Sequence, residues 1–209
     1  MICRALDNLS FWRKTLLSRP RPVDHPEKSG NWYKPNRLPM SRRRISNEPT
    51  KEERMKGNEK VIEQLNARLA EELAAINQYF LHAEMCENWR YESLKAEIKK
   101  RSIMEMRHAE KLIERILFLE GKPVVNKLGK LGIGDSVEKI HKNDWAAEND
   151  AIQKYNESIR IAVEVGDNGT KELLESILKE EEAHIDWIEA QQDQIKQMGI
   201  QVYLGEQVG

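Results

Sequence analysis

The chain has 209 residues, with 34 Lys+Arg against 35 Asp+Glu and a net charge of −1, which argues against a globally basic nucleic-acid binder. No apolar run approaches the roughly 20 residues that a membrane-spanning helix needs. Two cysteines, Cys3 and Cys86, make no CxxC pair, so neither a disulfide framework nor a thiolate metal site is expected and a reducing, cytoplasmic setting is.

The charge is divided unevenly. Residues 1–54 hold six of the seven prolines and 13 Lys+Arg against 6 Asp+Glu, whereas residues 55–209 hold 21 against 29, placing a boundary near Met55. The first part contains RPRP, Trp32-Tyr33 and Arg42-Arg43-Arg44 without a sustained apolar period, and reads as a basic, disordered extension. Three origins fit it. Met55 is the true first residue; or Arg4, Arg13, Lys14 and Arg19 among Leu6, Leu9, Phe11, Leu16 and Leu17 form an organelle-targeting segment, against which Asp7 argues; or the tail contacts nucleic acid or another anionic surface.

Residues 55–209 are rich in Glu, Lys, Leu, Ala and Ile, and their period predicts helices. The first runs from about Glu59 to Trp89, with Leu65, Leu69, Glu72, Ile76, Tyr79 and Ala83 on one stripe. A second, from about Leu94 to Glu120, aligns Ile98, Glu105, His108, Leu112 and Leu119 and stops at Gly121. The 14 residues Lys122–Asp135 hold three glycines and suit a crossover along the length of a bundle. The third helix opens on a cap around Asp135-Ser136 and Glu138, carries Asp144, Glu148, Ile152, Tyr155 and Ile159 inward, and ends before Gly166. The fourth, from about Thr170 to Met198, aligns Leu174, Ile177, Glu181, His184 and Ile188, and one short helix follows Gly199. The expected fold is all-α: a four-helix bundle with one long crossover between the second and third helices and a short fifth helix.

Within these helices one pattern occurs twice. Glu72, Tyr79, Glu105 and His108, then Glu148, Tyr155, Glu181 and His184, both read E-x6-Y-x25-E-x2-H. Residues three, four or seven apart share a helix face, so each copy is a helical hairpin with its acids and imidazole turned inward. All four Glu lie about mid-height, where four carboxylates and two imidazoles would repel unless cations compensate them. A third Glu-x-x-His, Glu138 to His141, sits about 10 Å nearer a helix end and is expected at the surface or helix end. A Glu from each of two helices and Glu-x-x-His from the other two is the known ligand pattern of ferritin-like di-metal proteins. Oxygen-rich ligation with one imidazole per metal favours iron over zinc. Tyr79 and Tyr155 are expected either to hold the carboxylates or to fill the core.

The stretches AINQYFLHAEM, MEMRHAE, ERILFLEGKP and EEEAHIDWIE resemble the bacterioferritins, and the likeness extends from Met55, at the MKGNEKVI opening, to the C-terminus. The resemblance implies an iron-storing ferroxidase with a ferritin-like bundle, a shell of 24 subunits built as dimers, and two iron ions per subunit. Glu105 and Glu181 would bridge the metals, with Glu72, His108, Glu148 and His184 completing the site. It further implies that Met106 ligates a haem b shared between two subunits; on helical spacing, Leu73, Ile76, Asn77 and Phe80 give the first helix a second, partly apolar edge to wall it. Fe(II) and O2 or H2O2 would be substrates, and a bacterioferritin-associated ferredoxin the electron donor; neither a membrane nor nucleic acid is an expected partner. Where some members carry a His and an Asp that help iron move, this chain has Lys100 and Met104. Two alternatives share the fold: a non-storage di-iron oxygenase or peroxidase, and a bundle whose metal is only structural; a third, a DNA-binding ferritin, rests only on the basic tail.

Overall fold

The structure, a computed structural model, describes residues 56–208. The readings made on residues 1–54 lie outside the described residues. Five helices follow in order: α1 (Glu59–Asn88), α2 (Glu92–Phe118), α3 (Val137–Glu164), α4 (Asn168–Met198) and α5 (Ile200–Gln207).

Helix ends lie where local chemistry stops or starts the backbone ladder. Asn58, Ser136 and Asp167 cap α1, α3 and α4 through side-chain oxygens that accept from Lys60 N, Lys139 N and Thr170 N. Helix α2 begins two residues before the expected Leu94 because the Tyr91 carbonyl already accepts from Lys95 N at 2.9 Å. It also ends two residues early. Glu120 turns left-handed (φ 57°), and Gly121 N closes onto Ile116 O at 2.8 Å. Helix α4 starts ahead of the expected Thr170 because Asp167 is the residue that caps it. Gly166 supplies the left-handed turn before it (φ 75°).

Helices α1 and α2 form one antiparallel hairpin, α3 and α4 the other. The crossover is pinned along α1. Val124 N donates to Asn66 Oδ1 (2.8 Å), Gly129 N to Ala70 O (2.8 Å), Gly132 N to Gln78 Oε1 (2.7 Å) and Gly134 N to His82 Nε2 (3.0 Å). The anchors run 16 residues along α1, about 24 Å at 1.5 Å per residue, so the connection carries the chain most of the way along the bundle.

Two apolar layers fill the interior. One joins Leu65, Leu69, Leu112, Ile116, Leu174 and Ile177; the other joins Ala83, Cys86, Leu94, Ile98, Ile140 and Tyr203. Each fully buried aliphatic side chain contributes about 1.5–3 kcal/mol. In sequence the inward acids and imidazoles of every long helix fall between these layers, so the fold carries a polar level at mid-height. Tyr203 anchors α5, donating to Gln191 Oε1 at 2.9 Å and lying 3.1 Å from His141 Nε2.

Candidate metal centre

At that level Glu72, Glu105, His108, Glu148, Glu181 and His184 are all at most 5% exposed. They form two overlapping groups whose ligand atoms lie within 4.8 Å of one another: Glu72, Glu105, His108 and Glu181, and Glu105, Glu148, Glu181 and His184. His108 Nδ1 lies 2.8 Å from Glu105 Oε2, 3.0 Å from Glu181 Oε1 and 3.6 Å from Glu72 Oε2. His184 Nδ1 lies 3.2 Å from Glu105 Oε1, 3.2 Å from Glu181 Oε2 and 3.7 Å from Glu148 Oε1. Glu105 and Glu181 thus each turn one oxygen toward each imidazole. Glu72 faces only the first and Glu148 only the second.

Despite these distances, Glu105 Oε1 and Oε2 and His108 Nδ1 have no hydrogen-bond partner. Buried polar atoms left this way cost about 1–3 kcal/mol each. Atoms that approach one another without bonding, all aimed inward, are what a shared cation requires. Charge agrees: four carboxylates balance two divalent ions with both imidazoles neutral. The donor set therefore fits a pair of such ions.

Groups around the cluster fix its orientation. Tyr79 donates to Glu148 Oε1 and Tyr155 to Glu72 Oε1, so each tyrosine holds the carboxylate of the other hairpin. Both roles expected for them are observed, since each tyrosine bonds a carboxylate and is also a buried member of an apolar layer. Glu180 Oε2 lies 2.9 Å from His108 Nε2 and its other oxygen accepts from Lys111 Nζ at 3.1 Å. Holding Nε2–H there directs the Nδ1 lone pair of a neutral His108 into the cluster. The sequence reading missed Glu180. Its signal was faint, one Glu within the run Glu180-Glu181-Glu182.

Without metal, burial favours the neutral form of three of the carboxyls. Burial, with Glu72 and Glu148 adding to it, pushes the Glu105 carboxyl well above the ordinary range; burial, with Glu105, Glu148 and Glu72, does the same to Glu181. Glu148 is also raised by burial, against the hydrogen bonds it receives. For His108 burial opposes the charged ring, but Glu105, Glu181 and Glu72 outweigh it and raise its pKa.

His141 departs from expectation. Rather than lying at the surface it is 1% exposed beneath α5, and burial pushes its pKa down to about 4, so it is a neutral ring beside Tyr203. It stands apart from the metal-ligand groups. A second buried network went unread in the sequence. Asp144 Oδ1 accepts from Gln78 Nε2 (2.8 Å) and lies 2.9 Å from His82 Nδ1, while His82 Nε2 accepts from Gly134 N. The His82 proton therefore sits on Nδ1, and the network ties the crossover to α1 and α3.

Met106 faces away from the cluster, 47% exposed, on an open groove with Leu73, Ile76, Ile103, Ala109 and Ile113. Phe80 is similarly exposed at 49%. Lys100 is exposed and Met104 half-buried. Among the described residues no helix is long and apolar enough to cross a membrane.

The family model for the ferritin-like domain matches residues 62–198. Among curated proteins, a bacterioferritin of Brucella melitensis biotype 1 is 42% identical over 149 residues, 71% of this chain and 92% of that protein. A bacterioferritin of Rhodobacter capsulatus is 44% identical over 137 residues, 66% of this chain and 85% of its own. One from Mycobacterium tuberculosis (strain CDC 1551 / Oshkosh) is 39% identical over 149 residues, 71% and 94%. On these matches and on the five-helix architecture, the chain belongs to the bacterioferritins of the ferritin-like family.

Proposed function

We propose that this chain is an iron-storage protein that oxidises its cargo, binding two Fe(II) at the six buried ligands and passing Fe(III) to a mineral store. The observation that carries the reading is the division of Glu105 and Glu181, one oxygen toward each imidazole, which suits two ions bridged by two carboxylates. In it Glu72 and His108 complete one position, Glu148 and His184 the other. The substrates supply the electrons: two Fe(II) become two Fe(III), and the pair reduces O2 with two protons to H2O2, or H2O2 with two protons to water. The chain's task is electrostatic. Carboxylates favour the more highly charged product ion, Tyr79 and Tyr155 hold the terminal carboxylates in place, and Glu180 keeps His108 in the binding tautomer.

In this reading the Met106 groove would take an edge of haem shared with a second copy, with the Met106 thioether holding its iron and Leu73, Ile76 and Ile113 forming the apolar wall. Bound there, haem would supply one-electron chemistry for returning stored iron to Fe(II), with a ferredoxin as donor. Storage implies a closed shell, and 24 copies built as dimers is the assembly proposed. The setting is cytoplasmic, in keeping with Cys86 as a buried free thiol.

The test is stopped-flow absorbance after aerobic addition of Fe(II), beside Glu181→Ala. A fast ferric phase saturating near two Fe(II) per chain, and lost in the variant, is expected. Equal, slow oxidation by both proteins refutes the ferroxidase and leaves a structural metal site.

A further inference from the structure

A narrow cavity of about 90 Å³ opens between α1 and α3 and ends on Glu72, Glu105, Glu148 and Glu181. That is room for a few waters or a partly hydrated ion. At its other end stand Glu71, Asp150 and Lys154. Lys154 Nζ bridges the two acids, 2.5 Å from Glu71 Oε1 and 2.5 Å from Asp150 Oδ2. Arg68, itself buried, lies 3.1 Å from the other Glu71 oxygen, an ion pair without a directed hydrogen bond. The crossover makes the rim rigid. Gly129 N donates to Ala70 O, and a Cβ at Gly129 would approach Glu71 Cα to 3.3 Å, so the connection lies tight against α1 at this height.

An ammonium fixed across the mouth of a cavity lined with carboxylates opposes the ions those carboxylates would bind. It can also leave the rim, which Asp150, 60% exposed, and the exposed Lys130 line as well. Lys154 is 37% exposed on a four-carbon stem, whereas Glu71 is 24% exposed and ion-paired with the buried Arg68. A divalent cation arriving between Glu71 and Asp150 matches their two negative charges better than a single ammonium does. We propose that Lys154 is an electrostatic gate on cation access to the metal centre, displaced from Glu71 and Asp150 by the arriving divalent ion and restored behind it. The step exchanges ion pairs and breaks no covalent bond. It rests on the two-ion reading of the centre made above, and its test separates the two.

The probe is Co(II) under anaerobic conditions, its ligand-field absorbance followed by stopped flow in the full chain. Lys154→Met keeps the stem and removes the charge; Lys154→Arg keeps the charge and binds carboxylates more rigidly. Lys139→Met removes the same charge from an exposed pair with Asp135, 15 residues and about 22 Å along α3. The expected result is an association rate raised about threefold to tenfold at low ionic strength in Lys154→Met, lowered in Lys154→Arg and unchanged in Lys139→Met. The plateau should stay at two Co(II) per chain in all, with unchanged melting. Equal rates in wild type and Lys154→Met with the plateau intact overturn the gate, as does equal acceleration by Lys139→Met. A wild type that binds no Co(II) instead overturns the metal centre itself.

Discussion

Glu105→Gln should make the metal-free protein more stable and the metal-loaded protein less so. Both Glu105 oxygens are buried without a hydrogen bond, and burial raises the carboxyl pKa. A neutral amide of the same shape relieves the charge and can donate to the neighbouring carboxylates. Taking the cost of an unsatisfied buried group as about 2 kcal/mol, the variant should melt about 4–8 °C higher without metal. The sign follows from linkage. A carboxyl whose folded pKa lies above its unfolded value binds more protons in the native state, so stability falls as pH rises from about 4.5 through the folded pKa. The variant's advantage should therefore vanish in acid, where Glu105 is a neutral acid resembling Gln, and grow toward pH 8. With Co(II) at 100 times its dissociation constant the wild type gains about 2.7 kcal/mol, which the variant largely forfeits, so the order inverts. Thermal melts from pH 4 to 8, with chelator or with Co(II), read both effects. A metal-free variant that melts lower at pH 8 would refute the reasoning, since Glu105 would then be a structural partner rather than a ligand held ready.

Tyr155→Phe should free Glu72, and Tyr79→Phe should free Glu148; each is expected to weaken Co(II) binding about tenfold with the fold intact, measured by equilibrium titration. Asp167→Ala removes the α4 cap, the bond from Thr170 Oγ1 and the 2.6 Å pair with Arg115, and should cost about 2 kcal/mol in denaturant melts. Met106→Leu conserves volume on the open groove, so haem per chain, read from its absorbance, should fall to near zero while the fast Fe(II) phase remains.

The convergence of the six candidate ligands was legible because helical period and hairpin step are properties of the chain itself. Glu105 and His108 share a face whatever packs opposite, and two Glu 33 residues apart return to one height whenever the turn is short. What the sequence withheld depends on the neighbour across the bundle. Tyr79 lies seven residues from Glu72 on one helix face, yet its hydroxyl reaches the facing helix and meets Glu148. Glu180 and Glu182 flank Glu181 alike in sequence, and only the placement of α2 makes Glu180 the partner of His108. His141 read as a helix-end residue because nothing in its own helix predicts that Tyr203 of α5 will cover it. Lys154 shows the same limit at the surface. Asp150 lies one turn away and explains an ordinary i,i+4 pair, but Glu71, 83 positions earlier, turns that pair into a bridge over the cavity. The repeated helical pattern therefore identifies which acids and imidazoles converge, while the contacts between hairpins decide how those side chains are oriented and what stands at the mouth of the cavity beside them.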